Sequence, residues 1–133
     1  MTRIFHLIRE ADLAAHLQAG GGPWSPPSLA TEGFLHLSSA SQIVGTLAVH
    51  FGNVDSVTLV EVDETAVEDA LRWEASRDGE PFPHLYRSLE PTEVLRAWRL
   101  SRNRGEWTVP AFADDATQDV PRGDAGAPFL TNP

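Results

Sequence analysis

The chain has no cysteine and no lysine. Without cysteine there is no disulfide framework, no thiolate metal site and no thiol nucleophile. All ten basic residues are arginine, set against 19 acidic ones for a net charge of -9. Removing residues 110–133, with four Asp and one Arg, still leaves the body at -6. Nucleic-acid binding draws on basic patches that displace counterions, so neither RNA nor DNA is an expected partner. The same acidity argues against anionic membrane surfaces. No apolar run approaches the roughly 18 residues of a membrane-spanning helix. Ile4–Ile8 lacks the basic start and long apolar stretch of a secretory signal. A soluble cytoplasmic protein acting on a small molecule is the expectation, and the sequence carries no signal of oligomeric state.

What is present fits one domain. At 133 residues and 41% hydrophobic content the chain can bury a core without metal or disulfide staples. A globular body is expected over residues 1–110. Residues 111–133, rich in Asp, Ala, Gly and Pro, read as a flexible acidic tail that buries too little to offset its ordering entropy.

Within the body, Arg3–Ile8 reads as strand and Glu10–Gln18 as a short helix stopped by Gly20–Gly22. Pro23–Glu32, with three prolines, reads as loop, and Gly33–Leu37 as a second strand. Ser38 or Ser39 caps a helix to about Phe51, with Ile43, Leu47 and Phe51 on one stripe. Ser56–Val62 is a β-branched central strand. Thr65–Ala70 reads as a short helix. Leu71–Ala75, Phe82–Tyr86, Val94–Leu100 and Trp107–Val109 read as strands. Strands following two N-terminal helices imply an α+β domain with a mixed, mostly antiparallel split sheet.

Three short segments carry the chemistry: Phe34–Ser39, Leu71–Glu74 and Phe82–Tyr86. Alternation along a strand puts residues i and i+2 on one face. It groups His36 with Ser38, Arg72 with Glu74, and His84 with Tyr86. Imidazole, hydroxyl, guanidinium, carboxylate and phenol on three such faces suggest one shared polar pocket. Each residue also has a plainer reading. His6, His36 and His84 sit among apolar neighbours, as satisfied structural histidines do. Ser38 and Ser39 suit a helix cap, and a phosphate there would meet their hydroxyls and the amides of Ala40 and Ser41. Glu74 is the best carboxylate for acid–base work or else an ion-pair partner of Arg72. Tyr86 stacks on a planar ring or fills an interface. His16 reads as a surface residue and His50 as a helix-terminal cation. Trp73 should point into the core. No phosphate loop or nucleotide-binding glycine motif occurs, so no tightly bound cofactor is expected. No metal-ligand spacing occurs either. His36, His84 and Glu74 would have to converge to support a metal-assisted hydrolase.

The same three segments, in order and spanning residues 3–100, resemble the bacterial domain-of-unknown-function family DUF952. That family in turn resembles the ADP-ribosyltransferase-like fold, which includes RNA 2′-phosphotransferases and poly-ADP-ribose polymerases. The resemblance implies NAD as a substrate and reaction at ribose C1′, by a transferase or glycohydrolase. It gives His6 the NAD ribose and places His36 against nicotinamide. Arg9 or Arg72 would grip phosphate, and His84 or Glu74 would stand at the third catalytic position. The candidate catalytic residues are thus His36, Glu74 and His84, and the candidate ligand-binding residues His6, Ser38, Ser39, Arg72 and Tyr86. A noncatalytic small-molecule binding module is the alternative.

Overall fold

A computed structural model of the protein describes residues 3–109, and the expected tail lies outside them. The elements run β1 (Ile4–Arg9), α1 (Glu10–Gln18), α2 (Pro27–Glu32), β2 (Leu35–His36), β3 (Ser38–Ser39), α3 (Ile43–His50), β4 (Ser56–Val62), α4 (Glu64–Val67), β5 (Leu71–Ala75), β6 (Pro81–Leu85), β7 (Val94–Asn103) and β8 (Glu106–Trp107). Short 3-10 turns precede α3, β6 and β7. The strands form a five-stranded sheet in the order β3-β1-β4-β7-β8 and a three-stranded sheet in the order β2-β6-β5. Among the described residues every strand pair is antiparallel, so the sheets are not mixed as the sequence suggested. The α+β reading holds. Among the described residues no helix is long and apolar enough to cross a membrane.

β1 and β4 are apolar on both faces because each face has its own core. Phe5, Leu7, Val57 and Leu59 pack with Ile43, Leu47 and Phe51 of the α3 region and with Trp98 and Leu100 of β7. Ile4, Ile8 and Val62 pack on the opposite side with Trp24, Leu35, Leu85 and Leu89. Alternation along β1 therefore sends Phe5 and Leu7 one way and Ile4 and Ile8 the other. His6 is sent with Ile4 and Ile8.

Four sequence expectations need correction. The proline-rich segment is not all loop: it contains α2, with Pro27 in the first turn and Gly33 past the end at φ 91°. Proline tolerates the first helical turn, and glycine accepts the left-handed stop. Three helices rather than two thus precede β4. Second, the strand expected over Gly33–Leu37 is only Leu35–His36, and a separate strand follows at Ser38–Ser39, where a helix cap was expected. β2 pairs with β6, whereas β3 pairs with β1. Leu37 is the crossing point, and its N–H bonds the Pro83 carbonyl at 3.0 Å. Third, Trp73 is 41% exposed. It lies mid-way along β5, the outer strand of the smaller sheet, of which Leu71 is the residue that packs on the core. Fourth, His16 is half-buried, with Nε2 3.1 Å from the Gly22 carbonyl and its ring edge-on to Trp24.

The larger sheet also buries a charge. Glu61 of β4 is 3% exposed. It accepts a two-pronged bond from Arg3 at 2.8 and 2.9 Å and a third from Arg96 Nε at 2.8 Å. A buried carboxylate is tolerated only when so paired. Replacing Glu61 with Ala removes the buried carboxylate that Arg3 and Arg96 share, so chemical denaturation should show a loss of roughly 3–5 kcal/mol. A loss under about 1 kcal/mol would contradict this account of the cluster.

Candidate functional site

The crossing at Leu37 opens a cavity. β3 covers only Ile4 and Phe5 of β1, so beyond Phe5 that edge of β1 faces open space rather than another strand. The space, about 450 Å³, is bounded by β1, α2, the β2–β3 crossing, α3 and the turn before β6. That volume falls within the range of small-molecule sites.

His6, His36 and Ser38 all border this cavity. His6 is buried, and both its ring nitrogens are engaged. Trp24 Nε1–H donates to Nε2 at 2.9 Å. The ring proton therefore sits on Nδ1, which donates to the His36 carbonyl at 2.8 Å. Burial pushes its pKa down to about 4, against the opposing effect of the His36 bond. His6 is thus a neutral strut, and it presents ring surface rather than a free hydrogen-bonding atom. The sequence suggested a ribose ligand at this position. In the structure the residue instead fixes the backbone of His36.

His36 itself is half-exposed, with Nε2 2.9 Å from Glu32 Oε2 of α2. Ser38 Oγ lies 3.0 Å from Thr46 Oγ1 of α3. Ser39 turns away to Ser41, and its amide is taken by Gln42 Oε1 at 3.0 Å. Ser39 thus stands at the N-cap of the turn that leads into α3, in a capping box with Gln42.

The remaining candidates form a second group. His36 pairs with His84 across β2–β6, and Arg72 with His84 across β5–β6. Pleat alternation then puts Phe34, His36, His84, Tyr86, Arg72 and Glu74 on one face of the smaller sheet. The three segments converge. Glu74 Oε1 accepts from His84 Nδ1–H at 2.9 Å and from the Tyr86 hydroxyl at 2.5 Å. These two bonds, Tyr86 first, hold the Glu74 pKa below the usual carboxylate range. The Glu74 bond raises that of Tyr86. Phe34 stacks on His84 at 4.1 Å, and His36 meets His84 edge-on at 5.5 Å. His84 Nε2 is buried without a partner among the described residues. The Arg72 guanidinium lies 5.4 Å from the Tyr86 ring centre. None of Phe34, Arg72, Glu74, His84 and Tyr86 borders the cavity, so this outer strip touches it only through His36.

Sequence reasoning missed Arg77, Thr46 and Trp24. It gave Arg9 and Arg72 equal standing and read His50 as a helix-terminal cation. Arg9, Thr46, His50 and Arg77 all border the cavity. His50 is held below its ordinary pKa by burial first, then by the charges of His36, Arg77 and Arg9. Its own carbonyl, at the end of α3, accepts from Arg9 Nη2 at 2.8 Å. Among the described residues no three His, Asp or Glu side chains gather to hold a metal ion.

Residues 8–97 match the sequence profile of a family described as "Protein of unknown function (DUF952)". The crystal structure of protein CC0527 from Caulobacter crescentus is 36% identical with a TM-score of 0.67, covering 78% of this chain and 90% of that one. Its solution NMR structure is 35% identical with a TM-score of 0.65, covering 78% and 89%. No curated protein matches the chain.

The state of His6 is testable. Its pKa is lower folded than unfolded, so unfolding takes up a proton below the unfolded value of 6.5. Its contribution to stability is complete above that pH and declines as pH falls toward 4. Between neutral pH and about pH 4.5, His6→Gln should lose about 2 kcal/mol less stability than the parent chain. Equal losses in chemical denaturation would mean that His6 is not a buried neutral group.

Proposed function

The chain belongs to the DUF952 family, and we propose that it handles NAD or ADP-ribose in the cavity between its two sheets, as a transferase or glycohydrolase acting at ribose C1′. The observation that carries this reading is the charge of the lining. In a chain of net charge -9, Arg9 and Arg77 border the cavity, and the one carboxylate there among the described residues, Glu32, is taken up by His36. Such a lining favours an anionic ligand, and its size suits a nucleotide. The split antiparallel sheet and the His36–Ser38 element add the resemblance to ADP-ribosyltransferase-like proteins in support.

In this scheme the C1′–nitrogen bond of NAD breaks and nicotinamide leaves with the electron pair. Water or an acceptor hydroxyl forms the new bond to C1′ and gives up its proton. The transition state resembles an oxocarbenium ion, so grip and electrostatic stabilisation matter more than a strong nucleophile. His36 and Ser38 orient the ribose from the cavity wall. Glu74 and His84 lie outside the cavity wall, so in this scheme they support His36 through the His36–His84 ring contact rather than meet the reacting atoms. Acidity favours a small acceptor or a protein over RNA.

A second reading is a noncatalytic binding module. The mutual pairing of Glu74 and His84 outside the cavity wall favours it. Both readings predict a saturable thermal shift with NAD or ADP-ribose, about 2.7 kcal/mol at 100 times the dissociation constant, and weaker binding in His36→Ala. No shift at millimolar ligand would contradict both. Nicotinamide release from NAD, abolished in His36→Ala, separates catalysis from binding alone.

A further inference from the structure

Arg77 occupies a seat that the chain keeps clear. It lies on the 3-10 turn Arg77–Gly79, where Asp78 and Gly79 both adopt positive φ, 57° and 77°. Its guanidinium carbon is 4.9 Å from the Phe82 ring centre. On the facing helix, a Cβ placed on Gly45 would come within 2.8 Å of Arg77 Nη2. Glycine inside a helix is less favourable than alanine by about 1 kcal/mol. At position 45 its lack of a side chain makes room for the guanidinium against α3. Arg9 is held in a similar way. Its guanidinium carbon is 4.6 Å from the Phe51 ring centre, and Nη2 is bonded to the His50 carbonyl. Neither arginine has an ion-pair partner among the described residues. In a chain with 19 acidic side chains, two arginines backed by rings and turned into one cavity, whose single carboxylate among the described residues, Glu32, is taken up by His36, are a built feature.

We propose that Arg77 and Arg9 form a two-armed seat for a diphosphate group, that Gly45 keeps the Arg77 arm in place, and that the ligand class is a pyrophosphate-bearing nucleotide rather than a nucleoside or a mononucleotide. The rest of the ligand's identity rests on the reading proposed above, but the seat does not. Guanidinium groups bind phosphate oxygens through paired N–H donors. An aromatic backing fixes each fork before the ligand arrives, so less side-chain entropy is lost on binding. The two like charges sharing the cavity are offset when a dianion lies between them.

Calorimetric titration with inorganic pyrophosphate, inorganic phosphate, ADP-ribose and adenosine tests the seat. The parent chain should bind pyrophosphate more tightly than phosphate. Arg77→Gln should weaken pyrophosphate and ADP-ribose by about tenfold or more. Gly45→Ala should weaken both while leaving the melting temperature equal or higher, because alanine favours the helix. Arg104→Gln, exposed and outside the cavity, should change neither. Failure of the parent chain to bind pyrophosphate at millimolar concentration would overturn the seat. Unchanged pyrophosphate binding in both Arg77→Gln and Gly45→Ala would do so too. If ADP-ribose binds equally well to all variants, the diphosphate seat is wrong and the nucleotide reading survives. If pyrophosphate binds through Arg77 but NAD and ADP-ribose do not bind, the seat stands and the nucleotide reading falls.

Discussion

One crossing organises the molecule. Between His36 and Ser38 the chain leaves the three-stranded sheet and joins the five-stranded one, with Leu37 fully packed and bonded to Pro83. Two-residue strands are poor structures in isolation. Here each is held by a neighbour already anchored in a core, β6 on one side and β1 on the other. Had β3 continued along β1 past Phe5, the edge of β1 would be closed and there would be no cavity. The parting of the sheets therefore explains why polar residues of one short segment reach an interior space without being buried unsatisfied.

The crossing is held by hydrogen bonds more than by bulk. Trp24, on a loop bridged to Leu89, sets the tautomer of His6, and His6 holds the carbonyl of His36. Glu32 of α2 holds the ring of the same residue. His36 is thus fixed through its main chain from the core and through its side chain from a surface helix. This arrangement suits a group that has to face a ligand in one orientation. The outer strip is tied equally tightly, with Glu74 bonded to two partners and Phe34 wedged against His84.

Much of this was legible. The runs in β1 and β4 gave strands, β4 central, the stripe of Ile43, Leu47 and Phe51 gave the buried face of the α3 region, and pleat arithmetic paired Arg72 with Glu74 and His84 with Tyr86. Three things were not legible. α2 was hidden because three prolines dominate its neighbourhood, although Pro27 and Gly33 sit where a short helix wants them. The break at Leu37 has no local signature, since partner choice is decided by β1 and β6 far away in sequence. Arg77 follows a strand edge and gives no periodic signal. The available hint was Gly45, a glycine inside a strongly patterned helix, which points to close approach by a neighbour. His6 was misjudged because sequence shows a polar group among apolar ones, not whether its nitrogens are already satisfied.

The central claim is that ligand is held where the sheets part, with the outer strip bordering it only through His36. Backbone amide chemical-shift mapping by NMR during addition of ADP-ribose tests this most directly. The account predicts that the largest changes fall at His36, Ser38, Thr46, His50 and Arg77. Changes confined to Arg72, Glu74 and Tyr86, with the cavity wall silent, would contradict it.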